Sequence, residues 1–151
     1  MLIKKKLNFA PLLVLMLSFV NCYAKDFNQN EINYDGLTTV QAEYLLKLAI
    51  KHDKYDLSKK GMYIDRLAVS PEYGYIGFGL YYDNPKDGAV TTMGAYDVNL
   101  KTGDVWDLRQ CSRYKFPELI KLQKIIMGKT FSTMPEKEAI QDKICDNPPE
   151  K

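Results

Sequence analysis

Tyr73-Gly74-Tyr75-Ile76-Gly77-Phe78-Gly79-Leu80-Tyr81-Tyr82 decides the fold class. Read as an extended chain, it places Ile76, Phe78 and Leu80 on one face and Tyr73, Tyr75, Gly77, Gly79 and Tyr81 on the other. Gly74, Gly77 and Gly79 do not follow a strand and open a helix, so they are no phosphate cradle. Glycine inside a strand instead permits close approach by another backbone or a ligand.

The neighbouring segments repeat the period of two. Met62 to Val69 reads as a preceding strand, with Ser70-Pro71-Glu72 as the turn between them. Asp83-Asn84-Pro85-Lys86-Asp87-Gly88 is dense in turn formers, and Ala89 to Asn99 follows as a third strand. Lys101-Thr102-Gly103-Asp104 puts a glycine where a hairpin needs positive φ. Val105 to Leu108, extending to Cys111, is then a short fourth strand.

Helical period flanks this meander on both sides. Thr38 and Gln41 have capping-box spacing, and Leu45, Leu48, Ala49 and His52 recur as an apolar stripe opposite Glu43, Lys47 and Lys51. This predicts an amphipathic helix of about four turns, ended by the charged stretch from Asp53 to Gly61. Lys25 to Gly36 reads as a polar arm anchored by Phe27, Ile32 and Tyr34. After the sheet, Pro117 opens a helix with Leu119, Leu122, Ile125 and Ile126 apolar and Gly128 as its stop. Thr133 and Glu136 cap a last short helix, with Ile140 and Ile144 inward. The expected fold is α+β: a helix, a four-stranded antiparallel meander and two C-terminal helices. A curved sheet wrapped around the first helix, the cystatin-like or cone-shaped arrangement, buries the apolar sides of both. An open sheet with helices on one face is the alternative.

The front of the chain is an address. Lys4, Lys5 and Lys6 precede an apolar run from Leu7 to Val20, and Cys22 and Ala24 are the small residues a signal peptidase reads. Cleavage after Ala24 leaves residues 25–151 as a single domain, exported to the periplasm. The apolar run is too short for a comfortable bilayer span, so no stable membrane span is expected after cleavage. Acylation at Cys22 is a second alternative, although Phe19-Val20-Asn21 match poorly the small residues that normally precede a lipoprotein cysteine. In an oxidising compartment the remaining Cys111 and Cys145 pair, closing a loop of about 34 residues. The mature chain carries 18 basic and 19 acidic side chains, which offers nucleic acid no electrostatic footprint.

Most catalytic chemistries find no residues here. His52 is the only histidine, and a nucleophilic relay or an ordinary zinc site needs more. The aspartates at Asp83, Asp87, Asp97, Asp104 and Asp107 sit in turns and hairpins, and Pro85 and Lys86 interrupt any calcium-loop spacing. No catalytic residue, metal or cofactor is therefore assigned. The strongest lead is aromatic: ten of the eleven tyrosines lie in the mature chain, and Tyr73, Tyr75, Tyr81 and Tyr82 are clustered. Tyrosine combines large area, few rotatable bonds and a polar tip, which suits recognition. Together with Asp83 and Asp87 these tyrosines are the candidate partner-binding residues. Packing of the same rings over the sheet is the competing reading.

Tyr96-Asp97-Val98-Asn99-Leu100-Lys101-Thr102-Gly103-Asp104-Val105-Trp106 resembles the strand–turn–strand of small exported bacterial domains of the PepSY and cystatin-like kind. With its export signal, preceding helix and terminal disulfide, the chain is similar to periplasmic immunity proteins that neutralise secreted toxins such as cell-wall hydrolases, type VI secretion toxins among them. The resemblance implies a non-catalytic inhibitor with a protein partner, and it assigns no site residue. A small-ligand-binding or envelope accessory domain using the hollow of the sheet is the alternative. A homodimer also remains open.

Overall fold

A computed structural model describes residues 27–70, 74–141 and 144. Residues 1–24, expected as a leader, lie outside the described residues, as do Tyr73 and Cys145. A 3₁₀ turn at Gln29–Glu31 precedes helix α1, Thr39–His52. The strands follow as β1 Met62–Ser70, β2 Tyr75–Asp83, β3 Val90–Asn99, β4 Val105–Asp107 and β5 Ser112–Arg113. Helices α2, Pro117–Thr130, and α3, Met134–Gln141, close the described chain.

The five strands pair in sequence order, each antiparallel to the next. The expected four-stranded sheet is therefore corrected to five. The fourth strand does not run on to Cys111. The chain turns at Leu108–Cys111, with Cys111 at φ 52°, and returns as β5. The Asp107 carboxylate makes this turn by accepting from the backbone amides of Arg109 and Gln110, at 3.0 and 3.2 Å.

α1 lies across the inner face of β2, β3 and β4. Its capping box forms as expected: Gln41 N–H donates to Thr38 Oγ1 at 3.3 Å, and Thr38 N–H donates to Gln41 Oε1 at 2.9 Å. Ala42, Leu45, Leu46, Ala49 and Ile50 meet Ile76, Phe78 and Leu80 of β2, Tyr96 and Val98 of β3 and Val105 of β4, all fully or almost fully buried. Burying a side chain of this kind stabilises by about 1.5–3 kcal/mol. The helix is rotated from its expected stripe, because α2 covers its far flank with Leu119 and Ile126. Leu48 is consequently only partly buried and His52 is exposed.

α2 also departs from expectation. It passes through Gly128, which has open space around it, and ends two residues later at Thr130, capped by Phe131 in the left-handed conformation at φ 57°. Tyr34, expected as an anchor of the arm, is 62% exposed, whereas Ile32 is buried and the Phe27 ring packs against Tyr44. Side chains of α1 and α2 pack with the apolar face of the sheet and form the protein core.

Candidate functional site

The strand that decides the fold is buried on both faces from Tyr75 to Leu80. Gly77 aligns with Asp97 and Trp106 in one row across β2, β3 and β4, so the side without Ile76 and Phe78 carries Tyr75, Asp97 and Trp106. Trp106 is inaccessible and Tyr75 is 2% exposed. Tyr75, one of the candidate partner-binding residues, is therefore interior, as the reading of rings packed over the sheet has it. The Tyr75 hydroxyl lies beside Trp106 and Asn99, and neither it nor Trp106 Nε1 has a partner in hydrogen-bond geometry. Burial, followed by the nearby charges of Asp104 and Asp97, holds this phenol well above its usual pKa.

The accessible aromatic surface begins further along β2. Tyr81 stands directly opposite Tyr63 of β1, and their rings stack at 5.3 Å between centroids and 24° between planes. Gly79 makes this possible: a methyl group there would meet the Tyr81 ring at 2.3 Å, so Tyr81 folds back over bare backbone. Tyr63 is 42% exposed and Tyr81 half-buried. Tyr63 was not among the expected contacts, since only the β1–β2 register brings it to Tyr81. Tyr82 points to the opposite face, where the Lys59 ammonium sits 4.1 Å above its ring. The structure thus separates Tyr82 from Tyr81 rather than joining them in one patch.

The hairpin between β2 and β3 projects beyond this stack. Asn84 N–H donates to the Ala89 carbonyl at 3.0 Å, and Gly88 N–H donates to the Asn84 carbonyl at 2.9 Å. Asp87 is exposed yet committed: its two carboxylate oxygens accept from Ala89 N–H at 3.1 Å and from Asn84 Nδ2 at 2.8 Å. The Asp83 side chain is exposed, with its backbone N–H donating to the Gly61 carbonyl at 2.8 Å. Arg109 reaches across to the carbonyls of Thr92 and Met93, at 3.3 and 2.8 Å, and pins the point where β2 and β3 slip register. The result is a stiff, solvent-facing rim carrying one aromatic stack.

Asp97 is the one carboxylate of the outer face whose pKa moves clearly. Desolvation raises it, and among the described residues no cation is paired with it. His52 stacks on Phe116 at 4.5 Å, with Nδ1 3.6 Å from Asp53, and the Tyr114 hydroxyl donates to the Asp53 carboxylate. That group packs α1 against the strand leading into α2. Among the described residues, no group of three or more His, Cys, Asp or Glu side chains is placed to hold a metal ion, and no helix is long and apolar enough to cross a membrane.

Comparison with known families decides the identity. The family described as type VI secretion system immunity protein Tgi2PP matches residues 36–137, which span everything from α1 into α3. The chain belongs to that immunity-protein family. A solved structure described as a type VI secretion system effector–immunity complex from Pseudomonas protegens contains a chain similar to it, with 34% identity and a TM-score of 0.71. The match covers 80% of this immunity protein and 98% of that chain. Among curated proteins none matches at a comparable level.

Proposed function

We propose that this immunity protein acts in the periplasm as a non-catalytic inhibitor. It binds a type VI effector of the cell-wall hydrolase class and blocks access to the effector's active site. The observation that carries the reading is the 34% identity over nearly the whole of a chain from an effector–immunity complex. The leader sequence supports export, because an inhibitor of such a hydrolase has to meet it on the cell-wall side of the inner membrane.

The proposed contact surface is the rim of the sheet: the Tyr63–Tyr81 stack and the hairpin from Asp83 to Val90. Stacked, pre-placed rings lose little conformational freedom on binding and exclude water from the contacts around them. Asp87 shapes the hairpin, and Asp83 is free to meet a polar or basic group on the effector. The disulfide belongs to the same proposal: Cys111 is disulfide-bonded, and Cys145 is its proposed partner, tying the end of the chain to the β4–β5 turn.

The test is affinity capture with residues 25–151 against secreted and envelope fractions, followed by calorimetry on the captured effector. The expected result is one stoichiometric hydrolase, whose activity on cell wall is abolished by the complex. Tyr63→Ala with Tyr81→Ala should weaken binding by about 2–4 kcal/mol, as removal of interface anchors does. Full affinity in the double variant, with an unchanged melting temperature, removes the stack from the interface.

A further inference from the structure

At the opposite end of the sheet from the Asp83–Val90 hairpin, three turns converge on a notch of about 380 Å³. β3 alone, with ten residues, separates the two ends by about 30 Å. The turn at Asn33–Gly36 presents Tyr34, the β3–β4 turn presents Lys101, and the α2–α3 corner presents Phe131, Ser132 and Glu136. Each turn is stiff. Gly36 at φ 114° lies against the Leu100 carbonyl, where a methyl group would come within 2.5 Å. The Leu37 N–H donates to that same carbonyl at 2.8 Å. Asn99 Oδ1 accepts from the amides of Lys101 and Thr102, both at 2.9 Å. Thr130 Oγ1 donates to the Lys101 carbonyl at 2.7 Å, joining the α2 end to the β3–β4 turn.

Phe131 is the residue that local stability does not explain. A bulky side chain in the left-handed region is strained where glycine is free. Burial could offset that strain, but Phe131 is 75% exposed. Its ring faces Tyr34, itself 62% exposed, at 6.2 Å between centroids and 40° between planes. The Lys101 ammonium sits 4.9 Å from the Tyr34 ring centre. The polar groups in the notch offer both kinds of hydrogen bond. Glu136 uses Oε2 for the Thr133 cap, at 2.7 Å from its N–H, and leaves Oε1 to accept. Lys101 supplies a donor, and Ser132 Oγ pairs with Thr130 Oγ1 at 3.0 Å while keeping capacity to accept.

One ammonium and one carboxylate balance, so the notch favours no net charge. Its two rings favour an apolar face, and its polar atoms favour a ligand with both donors and acceptors. A neutral sugar ring has this combination: C–H groups on its face and hydroxyls around its edge. We propose that the Tyr34–Lys101–Phe131 notch binds one sugar ring of a glycan, independently of the toxin-binding rim.

The test is an NMR titration of the isotope-labelled mature protein with chitotetraose, run beside co-sedimentation with purified cell-wall sacculi. The expected result is saturable shifts centred on Tyr34, Lys101, Phe131 and Ser132. Sedimentation with sacculi in addition identifies wall glycan as a source, and shifts without sedimentation restrict the site to free oligosaccharides. Phe131→Gly removes the ring and also relieves the positive-φ strain, so this variant should keep or raise its melting temperature while binding chitotetraose at least about tenfold more weakly. Tyr63→Ala with Tyr81→Ala should leave sugar binding untouched. Absence of saturable shifts, shifts centred elsewhere, or unchanged binding by Phe131→Gly overturns the proposal and leaves the inhibitor reading standing.

Discussion

Asp97 shows how one side chain can report its surroundings through pH. Its carboxyl is held above the usual carboxylate range by desolvation, so folding favours the protonated form. The stability this group lends is complete below the carboxylate range of an unfolded chain and is lost as pH rises through the elevated folded value. Asp97→Asn, neutral at every pH, should raise the melting temperature at pH 7 and give a much smaller gain near pH 3. Equal melting temperatures for the two proteins at pH 7 would show that desolvation of Asp97 costs the fold nothing. The sequence could not display this, because Asp97 reads there as one more aspartate near a hairpin. Tyr75 misleads in the opposite direction: its place in the alternation is right, but which faces of a strand end up covered is decided by distant residues such as Trp106. Tyr63 stayed hidden because its importance comes from standing opposite Tyr81.

α3 is held by polar contacts of a kind that periodicity cannot foresee. Asp104, 1% exposed, accepts from Lys137 Nζ at 3.0 Å, from Gln123 Nε2 at 3.2 Å and from Gln141 Nε2 at 2.6 Å. Lys137 donates in turn to Gln123 Oε1 at 3.1 Å. The β3–β4 turn is thereby joined to both C-terminal helices. Breaking a buried pair from one side strands the remaining charge, at a cost of about 3–5 kcal/mol. Lys137→Met should therefore lower stability by about 3 kcal/mol in urea unfolding and speed amide exchange across Met134–Gln141. Adding Asp104→Asn should recover most of that loss. If the single variant behaves like the parent, the network is not what holds α3. At this scale the sequence is a good guide where one rule acts locally. The Thr38–Gln41 and Thr133–Glu136 boxes and the positive φ of Gly103 are all as expected, at 72° for the glycine. It misjudged helix ends, since Gly128 had open space and no requirement to stop.

For the whole molecule, the α+β order of helix, antiparallel meander and helices was legible because each period is long and uninterrupted. The fifth strand was not, being two residues long and created by a turn around Asp107. The surface was harder still, because exposure depends on how the layers close. The proposed Cys111–Cys145 bond would act on the whole chain by restricting the unfolded state across a loop of about 34 residues, worth roughly 3–4 kcal/mol. Reduction under native conditions should lower the melting temperature reversibly, and mass mapping of the oxidised protein should find those two cysteines linked. An unchanged melting temperature would assign the bond a negligible part in stability.

β1 forms one edge of the sheet, and its pairing with β2 slips register between Arg66 and Val69. A straight nine-residue edge is a template on which another chain can add; an irregular one is a poor template. An inhibitor that works by occupying its target must be present in at least equal number, and so has to be stored before any attack arrives. For an inhibitor of the proposed kind, the kink in β1 disfavours edge-to-edge pairing among the copies of such a reserve.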